Sequence, residues 1–303
     1  MEYKTDINET LMGVVEALSH HSSAEDAMLP VGQAPLPSVE SVRRIVELVR
    51  QSLFSDFFYR RQPRQEQRAY YIGECVEELY SLLRVQVARG YQFCNCVDEQ
   101  EARREADRVA RHFVSQLPEL KRLLLTDIDA MYHGDPAAAN YGEVVFCYPV
   151  INTMIHYRSA HCLWQLDVPV LPRIITEQAH SLTGIDIHPG AQIGEYFCID
   201  HGTGVVIGQT AVIGNHVSLY QGVTLGAKSF RQDDEGKLVN EPRHPILEDH
   251  VTVYSNASIL GRITIGHHSV IGGNVWLTRS VPPFTRLVQG KTQDGTFRDG
   301  LGI

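Results

Sequence analysis

A six-residue repeat of branched aliphatic residues is the feature of this sequence that most restricts its fold. Between residues 187 and 277, an Ile, Leu or Val recurs at every sixth position, apart from one two-residue slip and one longer interruption. Glycine directly follows several of these aliphatic residues. The repeat positions are Ile187, Ile193, Ile199, Ile207, Ile213, Leu219, Leu225, Leu247, Val253, Ile259, Ile265, Ile271 and Leu277.

A hexapeptide repeat predicts a parallel β-helix, in which each unit forms one short strand and one turn, and three units close a coil of about 18 residues. The aliphatic side chain of each unit points into the prism and stacks on its equivalent in the next coil. About four coils result, enough for neighbouring repeats to stabilise one another. The alternative, a stack of β-hairpins, would show period-two alternation and Asn-Gly or Asp-Gly turns, and neither pattern is present.

The chain before the repeat has helical periodicity. Apolar residues recur at three-to-four-residue steps from Ser38 to about residue 183, which predicts an all-α domain. Gly90 and Pro118 are expected helix ends, and Thr126 with Asp129 resembles a capping box that begins another helix. The chain is therefore predicted to be an α+β protein with four parts. These are a loosely ordered segment at 1–37 with one short helix near residues 9–19, a helical oligomerisation domain at 38–183, a β-helix at 184–281 with a loop extruded at 226–246, and a C-terminal tail at 282–303.

Charge and composition argue against several functions. The 303-residue chain has a formal net charge of −9, which disfavours non-specific binding to nucleic acid or anionic membranes. Its longest apolar stretch, residues 144–151, is far shorter than the roughly 20 residues that span a bilayer. The first residues lack the basic-then-apolar pattern of an export signal, and the six cysteines lack CxxC spacing. A cytoplasmic protein with reduced thiols is expected.

The interruption of the repeat is polar and charged, and repeat units in phase flank it on both sides. It must leave the coil as a loop, which solenoids tolerate because loop closure costs little for each added residue. Such insertions also often line the binding face. This loop ends in Arg243 and His244, and a cation beside a titratable ring suits a small carboxylate substrate.

A second group of reactive side chains lies at the start of the repeat. Asp186 precedes Asp200 by 14 residues, and both border an aliphatic repeat position, so Asp186 is expected in the coil beneath His201. A carboxylate there could fix the tautomer of His201 and stabilise its protonated form, as a general base requires. In the alternative interpretation, the histidine and the acid merely satisfy each other within a structural solenoid.

The motifs around these residues resemble those of the serine O-acetyltransferase family. Hexapeptide repeats alone indicate a large superfamily of acyltransferases, whereas the combination of motifs is specific to this family. The resemblance covers about residues 120–285. It rests on Gly134-Asp135-Pro136-Ala137-Ala138, Asp186-Ile187-His188-Pro189, Asp200-His201-Gly202-Thr203-Gly204, Gln221-Gly222-Val223-Thr224-Leu225-Gly226, Arg243-His244-Pro245 and Val281-Pro282-Pro283.

The resemblance implies a left-handed β-helix that assembles as homotrimers with active sites between neighbouring subunits, and helical domains that join two trimers into a hexamer. It implies transfer of acetyl from the co-substrate acetyl-CoA to the hydroxyl of L-serine, which gives O-acetyl-L-serine for cysteine biosynthesis. No metal is expected. Feedback inhibition by L-cysteine is typical of the family, and L-cysteine could use the same binding groups as L-serine.

The resemblance also implies roles for individual residues. His201 is expected to be the general base that takes the serine hydroxyl proton, with Asp186 orienting it. Arg243 and the catalytic-site residue His244 are expected to hold the substrate carboxylate region, and Asp135 and Asp200 to face its ammonium. CoA is expected along the β-helix, with contacts to Gly226, Ala227, Lys228 and Ser255, and Arg262 or Arg279 are further candidates to meet its phosphates.

The sequence departs from the family pattern in several places. Gln209 replaces a common Glu, Gly226-Ala227 stands where Gly-Gly is usual, and the segment after Val281-Pro282-Pro283 is shortened to residues 286–290. The chain ends in Ile303, and related enzymes use a terminal isoleucine to occupy the active site of O-acetylserine sulfhydrylase. The resemblance therefore predicts that enzyme as a partner.

Three alternatives stay open at this point. A β-helix zinc hydratase of the carbonic anhydrase type would need three interface histidines, for which His188, His201 and His216 are candidates. A non-catalytic scaffold would need none of these side chains for chemistry. An acetyltransferase for another hydroxyl amino acid, such as homoserine, is the third alternative. Homoserine has one methylene more than serine, and a binding site discriminates one methylene by only about 1–3 kcal/mol.

Overall fold

A computed structural model of the chain describes residues 2–29, 34–58, 67–94 and 97–290. A helical region precedes a parallel β-helix, which confirms the predicted α+β class. Within the described ranges, no helix has both the length and the hydropathy of a transmembrane segment. The helices are α1 Glu2–Ser19, α2 Ser23–Met28, α3 Val39–Leu53, α4 Ser55–Phe58, α5 Arg68–Phe93, α6 Glu99–Ser115, α7 Leu117–Gly134, α8 Tyr141–Cys147, α9 Pro149–Gln165 and α10 Leu171–Thr183.

The first 37 residues contain more helix than the sequence predicts. Helix α1 extends from Glu2 to Ser19, and α2 follows it at Ser23–Met28. The second helix begins with a capping box, since the Ser22 hydroxyl accepts the Glu25 amide at 3.2 Å and the Glu25 carboxylate accepts the Ser22 amide at 2.7 Å. The expectation of one short helix was therefore wrong for the described part of this region, whereas its loose order stays a prediction.

The three sequence signals for helix ends act differently from the prediction. Gly90 lies inside α5, where an added Cβ would be 3.0 Å from the Pro169 carbonyl oxygen, so this glycine permits close packing. Pro118 is the second residue of α7 and lies in the first turn, where its missing amide costs nothing. Thr126 lies inside the same helix and accepts the Tyr196 amide at 3.2 Å, so it binds the β-helix instead of capping a helix.

Three parallel sheets form the faces of the β-helix, and each strand pairs with the equivalent strand of the next coil. In spatial order, sheet 1 contains β1, β4, β7, β10 and β13, sheet 2 contains β11, β8, β5 and β2, and sheet 3 contains β14, β12, β9, β6 and β3. The strands are β1 Asp186–Ile187, β2 Gln192–Ile193, β3 Cys198–Asp200, β4 Val206–Ile207, β5 Val212–Ile213, β6 Ser218–Tyr220, β7 Thr224–Gly226, β8 Ile246–Leu247, β9 Thr252–Val253, β10 Ser258–Leu260, β11 Thr264–Ile265, β12 Val270–Ile271, β13 Trp276–Leu277 and β14 Arg286–Leu287.

The aliphatic repeat positions stack inside the prism. On sheet 1, Ile187, Ile207, Leu225, Ile259 and Leu277 pair in register from coil to coil, and each is at most 3% exposed. Burial of each such side chain stabilises the fold by about 1.5–3 kcal/mol. The repeat therefore specifies a continuous apolar interior, and the polar loop leaves the coil between β7 and β8.

The first coil is longer than the others. Asp186 pairs with Val206, 20 positions later, whereas Val206 pairs with Thr224, 18 positions later. The two additional residues belong to the corner between sheet 3 and sheet 1, where His201, Gly202 and Gly204 have φ angles of 58°, 84° and 79°. The predicted register of Asp186 was therefore wrong, because Asp186 lies beneath Val206 and not beneath His201.

The β-helix extends further than the sequence predicts. Val281 forms a parallel bridge with Ile265, and β14 pairs with β12, with Leu287 opposite Ile271. Residues 282–287 thus complete a coil in place of beginning the tail, which explains why the structure has about five coils where about four were expected. Residues 291–303 lie outside the described part of the chain.

A buried ion pair joins the helical region to the β-helix. The Arg158 guanidinium donates to both Asp127 oxygens at 2.7 and 2.8 Å, and also to the Gly194 carbonyl at 2.9 Å. Asp127 additionally accepts the Phe197 amide at 3.2 Å. Both side chains of the pair are at most 5% exposed. Four hydrogen bonds therefore satisfy two charges that burial would otherwise make costly.

We expect Asp127→Ala to lower the free energy of unfolding by about 3–5 kcal/mol, because it leaves the Arg158 charge buried without a partner. Glu99→Ala is the matched control, since it removes the exposed ion pair with Arg103 and should change stability by less than about 1 kcal/mol. Urea denaturation followed by circular dichroism measures both changes. Equal effects of the two substitutions would contradict the structural role of the buried pair.

Candidate active site

The site residues expected from the sequence lie at two opposite edges of sheet 1. His201 precedes β4 at the corner with sheet 3, and we call this side the His201 edge. His244 lies over Gly208, which follows β4 at the corner with sheet 2, and this side is the His244 edge. The candidate residues therefore form two groups, and the width of sheet 1 separates the two imidazoles.

His201 projects from the lengthened corner. Its side chain is 73% exposed, and its Nδ1 atom lies 3.7 Å from Asp200 Oδ1. The backbone beneath it is closely packed, since a Cβ on Gly202 would lie 2.5 Å from Ile185 Cδ1. Position 202 therefore requires glycine, because its φ angle is positive and a side chain there would clash with Ile185 in the interior. The corner thus presents an accessible imidazole beside a carboxylate.

Asp186 is half-buried in the coil below this corner. Its amide donates to the Val205 carbonyl at 2.9 Å, and the Gly184 carbonyl accepts the Gly204 amide at 2.8 Å, so residues 184–186 run beneath residues 204–206. Among the described residues, the carboxylate that pairs with His201 within 4.0 Å is Asp200 and not Asp186. The orienting role of Asp186 stays a prediction.

Asp135 reaches the His201 edge from the end of α7. Its Oδ1 atom accepts the Ala137 amide at 2.8 Å, and its Oδ2 atom accepts the Tyr148 hydroxyl. The pKa of Asp135 is lowered from its ordinary value, first by the hydrogen bond from Tyr148, then by that from the Ala137 amide and by the nearby His201 ring. The structure thus brings Asp135, Asp200 and His201 to one edge, where two carboxylates can receive an ammonium group.

His244 is a buried, neutral ring on the other edge. Its Nδ1 atom accepts the Thr210 amide at 3.1 Å and lies 2.8 Å from the Thr210 hydroxyl. Burial, with the Arg243 and Arg262 charges, lowers the pKa of His244 to about 4. Because Nδ1 is an acceptor in a neutral ring, Nε2 carries the proton and can donate to a ligand. Gly208 makes room for the ring, since a Cβ there would lie 2.1 Å from Nε2.

Arg243 is held by neutral groups. Its guanidinium donates to Gln209 Oε1 at 3.0 Å, to Asn240 Oδ1 at 3.1 Å and to the Glu241 carbonyl at 3.3 Å. Its buried Nε atom has no hydrogen-bond partner among the described residues. Because residue 209 is a glutamine, no acid at this position neutralises the guanidinium. The Arg243 charge therefore remains available to a substrate carboxylate.

The residues expected to contact CoA divide between the two edges. Gly226, Ala227 and Lys228 leave β7 on the His244 edge, and Lys228 lies against Gly261. Ser255 lies on the His201 edge, beneath Gly273. Arg262 donates to the Thr210 and His244 carbonyls at 2.7 and 3.0 Å, so it supports the corner beneath His244. Arg279 is exposed at the end of β13.

The three histidines considered as zinc ligands lie at three different corners. His188 contacts Trp164 beside the His244 edge, and His201 lies at the opposite edge. His216 stacks between Tyr196 and His250 at the third corner, with ring centroids 4.4 and 4.7 Å apart. Within the described ranges, no group of three or more His, Cys, Asp or Glu side chains is placed to hold a metal ion.

Tyr148 and Thr210 are site residues that were not expected from the sequence. Thr210 Oγ1 accepts the Arg243 amide at 2.9 Å and the His244 amide at 3.1 Å, so the threonine organises this edge from 33 and 34 positions away. No local pattern reveals such a contact. Tyr148 has one usable signal, because Pro149 follows it just as Pro136 follows Asp135.

Comparison with known proteins places the chain in a family. No family model matches it. A protein of Synechococcus elongatus named "Serine acetyltransferase, plasmid" is 44% identical over 311 aligned residues, covering 99% of this chain and 98% of that protein. The serine acetyltransferase isoform 3 of Entamoeba histolytica, solved with cysteine, has a TM-score of 0.72 at 32% identity and covers 96% of this chain and 94% of its own.

A soybean serine acetyltransferase, solved in complex with serine, has a TM-score of 0.54 at 28% identity, covering 84% of this chain and 98% of its own. The Synechococcus protein aligns along nearly its whole length and is well above 30% identical. The similarity therefore extends over both the helical region and the β-helix, and it confirms the resemblance seen in the motifs. This chain belongs to the serine acetyltransferase family.

Proposed function

We propose that this protein is an acyltransferase that transfers acetyl from acetyl-CoA to the hydroxyl of L-serine, giving O-acetyl-L-serine and CoA in cysteine biosynthesis. The observation that carries the proposal is the His201 edge, where an accessible imidazole lies beside Asp135 and Asp200. Whole-length similarity to a serine acetyltransferase supports the choice of reaction. The cytoplasm, where acetyl-CoA is available, is the proposed location.

His201 acts as the general base in this proposal. Its free ring nitrogen takes the proton from the serine hydroxyl as the oxygen attacks the thioester carbonyl, which forms a tetrahedral intermediate. The carbon–sulfur bond then breaks, and the imidazolium returns the proton to the CoA thiolate. Asp186 and Asp200 are the two acids that stabilise the protonated ring, and Asp186 keeps the orienting role expected from the family resemblance.

The substrate is a zwitterion, and the two edges of sheet 1 carry opposite charges. Asp135 and Asp200 suit its ammonium group, whereas Arg243 and the Nε2 donor of His244 suit its carboxylate. Within one protomer, the two carboxylates and the two carboxylate-binding groups lie on opposite sides of sheet 1. A complete site therefore needs the His201 edge of one protomer against the His244 edge of the next, as in a homotrimer, with helical domains joining trimers into a hexamer.

The same charged groups suit L-cysteine, which differs from L-serine only in its side-chain heteroatom. We expect L-cysteine to compete with L-serine and to act as a feedback inhibitor. A related Entamoeba histolytica protein was solved in complex with cysteine, which supports this expectation. CoA is proposed to lie along sheet 1, near Gly226, Ala227, Lys228 and Ser255.

The direct test of the proposed function measures CoA release from acetyl-CoA in the presence of L-serine, L-homoserine or no acceptor. L-Serine should be the preferred acceptor. Preference for L-homoserine would show that L-serine is not the main substrate. If no acceptor increased the release of CoA, the proposed acetyltransferase activity would be refuted. Zinc analysis of the same preparation addresses the hydratase, which requires stoichiometric metal.

We expect His201→Gln to lower kcat/KM for L-serine by about 10²–10⁴, because this substitution removes the general base. Asp186→Asn should lower kcat by a smaller factor and leave the KM for L-serine nearly unchanged. His216→Gln is the matched control, since His216 is an exposed histidine at a different corner, and full activity is expected. Steady-state kinetics measures all three variants, and an active His201→Gln variant would refute the mechanism.

A mixing experiment tests whether two protomers share a site. His201→Ala and His244→Ala are each expected to be nearly inactive, whereas their co-expression should restore about a quarter of wild-type activity, because one interface in four of a random cyclic trimer receives both histidines. Co-purification through two different tags isolates the mixed oligomers, in which the expected recovery rises to about a third, because one interface in three of every mixed trimer receives both histidines. Absence of recovery in proven mixed oligomers would show that both histidines serve the same protomer.

The C-terminal Ile303 is proposed to bind O-acetylserine sulfhydrylase, although it lies outside the described residues. We expect that deleting the last residues abolishes binding to that enzyme while acetyltransferase activity is retained. Isothermal titration calorimetry with the purified sulfhydrylase measures the affinity, and Ile303→Ala provides the point variant. Unchanged affinity of the truncated chain would contradict the proposed partnership.

A further inference from the structure

Tyr148 and Asp135 meet at the His201 edge from the ends of two different helices. The Tyr148 hydroxyl donates to Asp135 Oδ2, while the Ala137 amide donates to Oδ1 at 2.8 Å. Each carboxylate oxygen thus has one donor from the chain, which fixes the plane of the group. Each oxygen also keeps acceptor capacity, because a carboxylate can accept about four hydrogen bonds.

The backbone positions of both residues are determined by proline. Asp135 precedes Pro136 and ends α7 with φ −118° and ψ 106°, and Tyr148 precedes Pro149 and ends α8 with φ −81° and ψ 116°. A residue before proline is restricted to extended conformations of this kind. The tyrosine is also held between α8 and α9, which leaves its side chain little freedom to leave Asp135.

The charges around the pair are suited to a cationic ligand. The hydrogen bond from Tyr148 lowers the pKa of Asp135, and the same bond raises the pKa of Tyr148 to about 12. At neutral pH the phenol is therefore a permanent donor and the carboxylate is permanently ionised. The Asp200 charge also contributes to the raised pKa of Tyr148, which adds a second anionic group to the surroundings of the pair.

We propose that Tyr148 is a positioning residue for substrate recognition, which holds the Asp135 carboxylate in the orientation that receives the ammonium group of L-serine. This inference rests on the proposed function and deepens it. Tyr148 acts through Asp135 and need not touch the reacting atoms. Its loss should therefore weaken recognition of the amino acid without changing the acetyl-transfer step or the binding of acetyl-CoA.

The test compares Tyr148→Phe with a matched control on the same pair of helices. Tyr141, at the start of α8, donates to Asp129 on α7 at 2.8 Å, which is the same type of contact outside the site. Tyr148→Phe should raise the KM for L-serine about tenfold, as expected for losing a hydrogen bond to a charged group. Its kcat and its KM for acetyl-CoA should stay within about twofold of wild type, and Tyr141→Phe should leave all three constants unchanged.

A double-mutant cycle separates positioning from a general structural role. In an Asp135→Asn background, Tyr148→Phe should change kcat/KM for L-serine by less than about twofold, because the group through which it acts is already altered. An unchanged KM in the single variant, or an equally large loss in the Asp135→Asn background, would overturn the proposal. So would a lowered melting temperature with parallel losses for both substrates.

The wild-type assay distinguishes this inference from the function on which it rests. If wild-type protein releases no CoA with L-serine, the proposed function fails and the inference fails with it. If wild-type protein is active and Tyr148→Phe behaves as wild type, only the inference fails.

Discussion

In-register stacking of aliphatic side chains along the β-helix is the interaction on which the rest of the structure depends. Each coil is too thin to bury its own apolar side, so its stability comes from the coils above and below. Because parallel pairing fixes every strand against its neighbour, the corners between sheets are fixed as well. His201, His244 and the loop all belong to such corners. The interior therefore provides a rigid frame, and the chemistry is placed on its edges.

The sequence was informative where one residue type recurs at a fixed period, and less so where distant contacts decide the structure. The hexapeptide repeat predicts the β-helix because every sixth side chain enters the same interior. It does not predict that Gly90 stays inside a helix, since the reason is packing against Pro169, 79 positions away. The register of Asp186 depended on the length of a single corner, which the repeat shows as a slip without showing how the chain turns. The role of Thr210 was not predicted because its hydrogen bonds to the Arg243 and His244 amides form only when the chain has folded.

Opposite charges at the two edges of sheet 1 would favour the proposed association of protomers. The His201 edge carries Asp135 and Asp200, and the His244 edge carries Arg243, whose partner Gln209 is neutral. Contact between unlike edges of successive copies is a head-to-tail interface, which forms a closed ring when the rotation is suitable. Complementary charge favours this arrangement over contact between like edges. Oligomerisation and substrate recognition would then use the same side chains, so each would influence the other.

The lengthened first corner shows how a repeat protein can gain a reactive group at little energetic cost. Two additional residues lengthen the corner that carries the exposed His201, while the aliphatic residues on either side remain in register. The lengthening is confined to the corner, where Gly202 and Gly204 adopt positive φ angles without the steric clash of a side chain. Designers of solenoid enzymes could therefore vary corner length as an independent parameter, adjusting the reach of a side chain without redesigning any interior layer.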